Sequence, residues 1–213
     1  MNSVTSNEPK TLTDRLRVLS KGILEPICRF LNRLGIKPNT VTLIGLLGNV
    51  IAAYLIAMGQ MTWGGVVMLL LGAFDALDGT LARISDQVTK FGGLLDSVID
   101  RYSELVVMGG LLLFFTQKQD TTSIILVYLA AAGSVLVSYV KARAEGLGME
   151  CKVGLLTRVE RYIVMVVTLI FNIPVVGLWI IAILANITAV QRIWHVYSKS
   201  KASNNGNQAN KPE

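Results

Sequence analysis

Apolar residues occur along this chain in long blocks separated by short polar segments. Three blocks run almost without interruption, over residues 41–58, 124–140 and 174–190. Three shorter blocks reach the length of a membrane span once their polar ends are counted, over residues 63–74, 105–115 and 162–171. A helix needs about 20 mostly apolar residues to cross a bilayer. The pattern therefore predicts an all-α integral membrane protein with six transmembrane helices.

A different periodicity precedes the first block. Between residues 12 and 34, apolar side chains recur at intervals of three and four residues. The opposite face of the predicted helix carries Arg15, Lys21, Arg29 and Arg33. This pattern is typical of an amphipathic interfacial helix whose basic face meets anionic headgroups, with a kink expected at Pro26. A helix packed on a partner protein is the alternative.

Composition supports the membrane class. The chain is 52% hydrophobic and 16% charged, with a mean hydropathy of +0.54, which is too apolar for an ordinary soluble domain. The predicted organisation is an N-terminal tail and amphipathic juxtamembrane helix over residues 1–37, a six-helix transmembrane catalytic domain over 38–198 and a disordered tail over 199–213. Cys28 and Cys151 share no motif spacing and are predicted to be free thiols.

The basic residues are distributed unevenly. The chain has a net charge of +6. The first, third and fifth predicted loops contain a single basic residue, Lys118. Nearly all other Lys and Arg residues lie in the N-terminal segment, the even-numbered loops and the tail. Cytoplasmic loops carry the Lys and Arg excess of membrane proteins. We therefore expect a multi-pass protein of the cytoplasmic membrane with both termini in the cytoplasm. Nucleic acid is not an expected partner, because no basic-aromatic surface module is present.

Four aspartates lie where the apolar halves of the second and third spans give way to polar halves. Asp75 and Asp78 are three residues apart, and Asp96 and Asp100 are four apart, so each pair shares one helix face. Under the predicted topology all four meet near the cytoplasmic surface. Acids within spans mark functional sites, and oxygen-only ligands suit Mg²⁺ or Mn²⁺. The sequence predicts a divalent metal site on the cytoplasmic side, with two metals as the arrangement that clamps a phosphoryl group.

Two alternatives compete with this metal site. The acids could pair with nearby bases such as Arg83 and Arg101, and Arg101 with Glu104 is a candidate structural pair. Four acids with two intervening glycines, Gly79 and Gly92, exceed what such pairing requires. A divalent-cation transporter is the alternative from a different class. Against it, the outer halves of both helices are wholly apolar, whereas a permeation path needs polar residues across the whole depth.

The fourth loop and the helix ends beside it form a second candidate site. Two pairs of polar residues, each spaced by one helical turn, lie at the ends of the fourth and fifth spans, and a further arginine lies at the end of the sixth span. These residues are Ser138, Lys141, Arg158, Arg161 and Arg192. If they converge they make an anion pocket, because Arg forms bidentate contacts with phosphate. Arg143 and Lys152 are interpreted as topological signals, and His195 as an interfacial residue.

The segment from residue 75 to 100 has the pattern D-x2-D-G-x2-A-R-x8-G-x3-D-x3-D. It resembles the signature of the CDP-alcohol phosphotransferases, integral membrane enzymes of phospholipid synthesis, at all eight motif positions. The resemblance implies that the four aspartates bind metal and that Asp100 is also the general base. It further implies that the CDP group is bordered by Gly79, Ala82 and Arg83, with contributions from Asn39 and Thr42.

In that family an alcohol attacks the lipid-linked phosphorus of a CDP-lipid and CMP is released. The elements S-x2-K-A-R-A-E, R-x-E-R and A-V-Q-R resemble the branch that makes phosphatidylinositol phosphate or its archaeal ether-lipid counterpart. Inositol 1-phosphate is therefore the expected acceptor, although Val159 stands where that branch often has Pro. A phosphatidylglycerophosphate synthase using glycerol 3-phosphate is the alternative, since a basic pocket alone does not separate the two acceptors. The resemblance also implies a homodimer.

Overall fold

The computed structural model describes residues 25–85 and 88–209, excluding the side chains of residues 73–76, 78 and 202–209. Every regular element within this part of the chain is helical, which confirms the all-α prediction. The helices are α1 (residues 25–33), α2 (Pro38–Ala57), α3 (Met61–Ile84), α4 (Lys90–Gln117), α5 (Thr121–Gly146), α6 (Arg158–Ile170) and α7 (Pro174–Ala209).

Three of the described helices are long and apolar enough to cross a membrane. They are α2, α5 and the Pro174–Lys201 part of α7. In α3 the apolar part, Met61–Gly72, is shorter, and α6 has only 13 residues. The chain is therefore a membrane protein, and the count of six spans stays a prediction. Polar and apolar halves share α3 and α4, as the sequence pattern predicts, so hydropathy alone does not mark these two helices as spans.

The described chain divides into two compact units. The first unit takes in the described residues up to Asn49 and Leu69–Ser103, and the second takes in Val50–Met68 and the residues from Glu104 onward. A small core in the first unit joins α1, α2 and α3 through Cys28, Val41, Leu77 and Leu81. The Cys28 thiol donates a hydrogen bond to the Leu77 carbonyl at 3.4 Å. Thus α1 is held by packing against the helices that follow it.

Only the last part of the predicted amphipathic helix lies within the described residues. It is helical from residue 25 to 33 and ends where Gly35 adopts a left-handed φ of +71°. The Ile36 N–H then donates to the Leu31 carbonyl, which satisfies an orphan acceptor of the last turn. Pro38 begins α2, because its fixed φ suits a first helical position, where no N–H bond is needed.

The second unit is organised by α7. Helices α5 and α7 pack along their length, and α6 also packs on α7. Gly133 permits the close approach of α5, because a Cβ there would lie 2.6 Å from the Asn186 amide nitrogen. That amide in turn donates to the Leu129 carbonyl of α5 at 3.1 Å. Cys151 is a buried free thiol of the second unit, and Cys28 is a buried free thiol of the first unit. Both are free, as the sequence predicts.

Side-chain caps begin two helices of the second unit. The Asp120 carboxylate accepts hydrogen bonds from the Ser123 hydroxyl at 2.6 Å and from the Ser123 N–H at 3.1 Å. These bonds, the hydroxyl bond first, hold the pKa of Asp120 below its ordinary value. At the start of α6, the Glu160 carboxylate accepts from the Thr157 N–H at 2.6 Å. Both caps fix where a helix enters the bundle.

The C-terminal segment continues the last helix. The backbone of α7 is helical to Ala209, and the disordered tail over residues 199–213 stays a prediction. Once a long helix is formed, each added residue contributes a backbone hydrogen bond without a new nucleation cost. No proline interrupts the sequence until Pro212. The low apolar content of this segment leaves it few side chains that could pack on other helices, but it does not end the helix.

Candidate active site

The first unit contains a cavity of about 310 Å³ between the start of α2, the end of α3 and the start of α4. All five residues predicted to border the CDP group line it, and so does one of the two predicted metal-binding aspartates whose side chains the structure describes. These residues are Asn39, Thr42, Gly79, Ala82, Arg83 and Asp96. They come from three separate helices, so the fold brings together what the sequence separates by up to 57 positions.

Small side chains keep this cavity open. Gly79 and Ala82 leave the wall formed by α3 nearly bare, and Gly92 does the same for α4. A Cβ on Gly92 would lie 3.0 Å from the Thr89 hydroxyl and 3.5 Å from Asn39 Oδ1. The Thr89 hydroxyl accepts a hydrogen bond from the Gly92 N–H at 2.9 Å and caps α4. Thr89 is a lining residue that the sequence analysis missed, and its signal is a Thr directly before a helix.

Arg83 supplies positive charge to the cavity. Its side chain is exposed and lies one turn after Gly79 on α3. Nη2 donates to the Thr80 hydroxyl at 3.0 Å, a contact within the same helix. A guanidinium on the wall of an open cavity suits an anionic group such as a diphosphate, because its planar fork matches two phosphate oxygens.

The four aspartates are described to different extents. Asp96 is half-buried on the cavity wall, and Asp100, one turn further along α4, is only 8% exposed. Arg101 approaches Asp100 with Nη1 at 3.5 Å from Oδ2 and donates to the Ser97 carbonyl at 2.8 Å. Asp75 and Asp78 lie in the helical backbone of α3, and their side chains are outside the description.

The donor chemistry of this region fits a hard divalent cation. Asp96 lines the cavity and Asp100 follows one turn later on the same face of α4, and carboxylate oxygen is the ligand that Mg²⁺ and Mn²⁺ prefer. Among the side chains that the structure describes, no three His, Cys, Asp or Glu residues cluster closely enough to form a metal site. The side chains of two of the four predicted ligands are not among those described, so the quartet itself stays a prediction.

The second candidate site lies in the second unit and divides into accessible and buried members. Lys141 is exposed and lies 3.8 Å from Glu145, its neighbour one turn along α5. Ser138 and Arg158 are half-buried. Arg161 is only 1% exposed and Arg192 only 5%. The five predicted acceptor residues are therefore not equally available to a ligand.

Arg161 is committed to a carboxylate within the protein. Its Nε donates to Oε1 of Glu104 at 2.8 Å and its Nη2 to Oε2 at 3.0 Å, which is the bidentate fork geometry. Nη1 reaches the Leu156 carbonyl at 3.5 Å. Arg101 is the predicted partner of Glu104, because the two are close in sequence. The observed partner is 57 residues away, and no local pattern points to it.

Arg192 joins three segments of the second unit. Nη1 donates to the Val137 carbonyl of α5 at 2.6 Å, and Nε donates to the Val153 carbonyl of the α5–α6 connection at 2.9 Å. Gly154 follows with φ of +143°, and a Cβ there would lie 2.6 Å from the Thr188 methyl group. A glycine is needed because the connection passes so close to α7. Arg192 thus holds the turn of α5 that precedes Ser138.

The residues given topological or interfacial roles lie on the surface of the second unit. Lys152 is exposed and pairs with Glu150, which raises the pKa of Lys152 and lowers that of Glu150. Lys152 and His195 both line an open groove that also contains Trp194. An aromatic and basic surface near the end of a span is typical of the interface between membrane and water.

Comparison with known proteins decides the family. The family model of the CDP-alcohol phosphatidyltransferases matches residues 36–193. The chain belongs to this family. As a CDP-alcohol phosphatidyltransferase it is a membrane transferase, and the resemblance drawn from the motif is confirmed.

Two relatives that match this chain over most of their length have closely related names. The chain is 38% identical over 185 residues to archaetidylinositol phosphate synthase of Pyrococcus horikoshii, covering 86% of this chain and 95% of that protein. It is 35% identical over 180 residues to phosphatidylinositol phosphate synthase of Mycobacteroides abscessus, covering 80% and 82% respectively. This CDP-alcohol phosphatidyltransferase is therefore similar to the inositol phosphate branch along most of its length.

Solved structures show the same fold. Phosphatidylinositol phosphate synthase of Mycobacterium tuberculosis with CDP-DAG bound superimposes with a TM-score of 0.78 at 34% identity, covering 82% of this chain and 94% of that one. The same enzyme in complex with manganese and citrate gives a TM-score of 0.78, covering 82% and 88%. The similarity extends over most of both chains, well beyond the aspartate motif.

Proposed function

We propose that this CDP-alcohol phosphatidyltransferase transfers the phosphatidyl-type group of a CDP-lipid to a hydroxyl of inositol 1-phosphate and releases CMP. The observation that carries the proposal is the cavity of the first unit, where the residues assigned to the CDP group meet Asp96. The CDP-DAG bound to the similar enzyme of M. tuberculosis supports a CDP-lipid as donor. The donor lipid is CDP-diacylglycerol or its ether analogue.

The first unit binds the donor head group. Gly79, Ala82 and Gly92 leave room for the CDP moiety to lie against the backbones of α3 and α4. Arg83 offsets the negative charge of the diphosphate from the cavity wall. Asn39 and Thr42 complete the wall from the first turns of α2.

Divalent cations, two Mg²⁺ or Mn²⁺ ions, belong to this site in our proposal. Asp75, Asp78, Asp96 and Asp100 would hold them. When bound, they would neutralise the diphosphate and stabilise the departing CMP. The manganese in the similar enzyme of M. tuberculosis supports a divalent metal.

Asp100 acts as the general base. Its carboxylate accepts the proton of the acceptor hydroxyl, whose oxygen forms a bond to the lipid-linked phosphorus. The bond from that phosphorus to the CMP oxygen breaks, and its electron pair leaves with CMP. The low exposure of Asp100 protects the carboxylate from bulk water, which would otherwise compete with the acceptor for its proton-accepting oxygen.

The acceptor phosphate is bound by the second site, which comprises Ser138, Lys141, Arg158, Arg161 and Arg192. Ser138, Lys141 and Arg158 are the members with accessible surface, so they make the direct contacts. Glycerol 3-phosphate also carries a phosphate and is the alternative acceptor. The names of the relatives favour the inositol compound, and the family assignment favours an enzyme over a cation transporter.

The membrane arrangement follows the charge pattern. In our proposal α2 to α7 are six spans, the helix within residues 1–37 lies at the interface among membrane lipids, and the catalytic domain covers residues 38–198. Both termini and the active site face the cytoplasm, because the basic segments cluster on that side. The protein works as a homodimer in the cytoplasmic membrane.

An acceptor panel tests the proposed function. Purified protein is mixed with CDP-diacylglycerol, Mg²⁺ and either inositol 1-phosphate, glycerol 3-phosphate or unphosphorylated inositol, and CMP release is measured. We expect the highest kcat/KM with inositol 1-phosphate and no release after EDTA treatment. A preference for glycerol 3-phosphate would move the protein to the alternative branch. No CMP with any acceptor, together with Mn²⁺ flux into liposomes containing the protein, would favour a transporter.

A further inference from the structure

Arg101 follows Asp100 directly on α4, and one nitrogen of its guanidinium group contacts two other groups. Nη1 donates a hydrogen bond to the Ser97 carbonyl at 2.8 Å and lies 3.5 Å from Oδ2 of Asp100, within ion-pair distance. The Arg101 side chain keeps 34% of its surface exposed, whereas the Asp100 side chain keeps only 8%. An accessible cation is therefore in contact with a nearly buried carboxylate.

The backbone of α4 anchors this guanidinium. In an α-helix the carbonyl of Ser97 accepts the backbone N–H of the residue four positions later, which is Arg101, and a carbonyl oxygen has two lone pairs. The side chain of Arg101 donates to the same oxygen. Both contacts of Nη1 thus lie within one turn of one helix. The position of the guanidinium relative to Asp100 is therefore set within α4.

The carboxylate of an aspartate turns easily about its last torsion angle. This torsion joins an sp³ carbon to an sp² carbon, and its energy profile is broad and roughly two-fold instead of having three staggered wells. The plane of the Asp100 carboxylate is therefore loosely defined by its own geometry. A cation held 3.5 Å from Oδ2 favours the rotations that keep this oxygen near the charge. The ion pair thus narrows the orientations that the carboxylate adopts.

The orientation of Asp100 matters because of its proposed role as general base. A base has to meet the proton of the attacking hydroxyl within hydrogen-bond distance. A misplacement of about 1 Å can cost about 10²-fold in rate. A carboxylate that turned freely would be in the productive geometry for only part of the time.

We propose that Arg101 is a positioning residue of the reaction: by holding Oδ2 of Asp100 from a fixed point on α4, it orients the carboxylate for proton transfer from the acceptor hydroxyl. This inference rests on the proposed function. The alternative is that Arg101 only balances the charge of Asp100 until a divalent cation takes its place. The two differ in what they predict for turnover and for metal binding.

Arg101→Ala tests the positioning role through the kinetic constants. Because the substrate contacts are kept while the base is less well oriented, kcat should fall by about 10- to 100-fold, and the KM values for donor and acceptor should stay within about threefold of wild type. Arg29→Ala is the matched control, since it removes an exposed arginine of the same unit that pairs with Glu25, one turn away. It should change neither kcat nor KM. An unchanged kcat in Arg101→Ala would overturn the inference.

Rescue by free guanidinium separates positioning from a purely structural role. The Arg101 side chain reaches the surface, so a guanidinium ion can enter the space that Arg101→Ala leaves. Guanidinium chloride well below denaturing concentrations should raise the kcat of Arg101→Ala by about threefold or more, but not that of wild type or Arg29→Ala. Arg101→Lys should have an intermediate kcat, because an ammonium group keeps the charge without the planar fork. A low kcat that neither guanidinium nor Arg101→Lys restores would show a structural defect and overturn the inference.

Binding of Mn²⁺ supplies a measurement that does not depend on turnover. The affinity of the purified proteins for Mn²⁺ is measured by electron paramagnetic resonance of the free ion. If Arg101 orients Asp100, Arg101→Ala keeps every carboxylate ligand and should bind Mn²⁺ within about threefold of wild type. If Arg101 is only a counter-ion that the metal displaces, its removal should strengthen Mn²⁺ binding by about tenfold. Stronger binding together with an unchanged kcat would overturn the inference.

Failure of the proposed function gives a different result. A wild-type protein that releases no CMP with any acceptor would overturn the proposed function and this inference with it. An active wild-type protein whose kcat is matched by Arg101→Ala would overturn the positioning role alone. If Arg101→Ala does not fold, Arg101→Gln replaces it, because glutamine is a good helix former without the charge, and a reduced kcat is again expected.

Discussion

The two units treat their arginines differently. In the first unit Arg83 is exposed on the wall of an open cavity, and it donates a hydrogen bond to a hydroxyl of the same helix. In the second unit Arg161 and Arg192 are almost fully buried and bind a carboxylate and backbone carbonyls. The guanidinium of the first unit is therefore accessible, whereas the two in the second unit are held by groups of the protein itself.

The difference shows that a count of positive charges does not define an anion site. Five residues with the right chemistry lie in the second unit, yet two of them have their hydrogen-bonding groups turned to the protein. Buried guanidinium groups are costly unless paired, so burial and pairing occur together. Among the four cations of the set, only Lys141 and Arg158 keep surface that a ligand could reach in this structure.

The largest expected effect concerns Asp100. Replacing it with Asn removes the base but keeps the size of the side chain, so kcat should fall by about 10²- to 10⁴-fold while CDP-lipid binding is largely kept. Steady-state kinetics and equilibrium binding of the donor check this. Asp120→Asn is the matched control, because Asn also caps helices well, and it should retain wild-type turnover. Loss of donor binding in Asp100→Asn would make Asp100 chiefly a metal ligand.

Lys141→Ala tests the accessible part of the second site. If Lys141 contacts the acceptor phosphate as proposed, removing this exposed cation should raise the KM for inositol 1-phosphate by about tenfold with little change in kcat. Arg143→Ala, two residues along α5, removes a charge assigned only to topology and should leave that KM unchanged. Equal effects of the two substitutions would show general electrostatic attraction instead of a specific contact.

Gly92→Ala tests the wall of the first-unit cavity. The new methyl group would lie only 3.0 Å from the Thr89 hydroxyl and would fill space beside Asn39, so the KM for CDP-lipid should rise by about three- to tenfold. Gly109→Ala adds a methyl to the same helix where no atom lies within 4 Å, and it should leave both KM values unchanged. An unaltered donor KM in Gly92→Ala would mean that the CDP group does not approach this wall.

The smallest effect belongs to a residue in neither site. Asp120→Ala removes the cap of α5 and should lower the unfolding temperature at pH 7 by about one or two degrees without changing either KM. Because folding lowers the pKa of Asp120, its contribution is full above the ordinary value of 3.8 and is lost as the pH falls through the folded value. Unfolding scans at pH 7, 5 and 3 should show the difference between variant and wild type shrinking only at pH 3.

Much of the first unit could be predicted from the sequence, because helical spacing fixes which residues share a face. Gly79, Ala82 and Arg83 follow from the motif, and their meeting with Asn39 required only that α2 lie beside α3. The hydrophobic blocks predict the helical membrane class, although among the described helices hydropathy alone identifies only α2, α5 and α7 as spans.

The second unit could not be predicted in the same way. The partner of Arg161 depends on how distant helices pack, and sequence proximity suggested Arg101 for Glu104 instead. Arg161 is buried and Arg158 is half-buried, although the two share a motif and a helix face. The end of α7 could not be located from composition either, since composition shows where packing ends and not where a helix ends.

Donor binding in the absence of acceptor tests the central claim most directly. The dissociation constant of CDP-diacylglycerol is measured with Mg²⁺ for the wild-type protein, Gly92→Ala and Lys141→Ala. If the first unit binds the donor and the second unit binds the acceptor phosphate, Gly92→Ala will bind the donor several-fold more weakly and Lys141→Ala will bind it like the wild type. Weakened donor binding in Lys141→Ala with unchanged binding in Gly92→Ala would contradict this assignment of the two units.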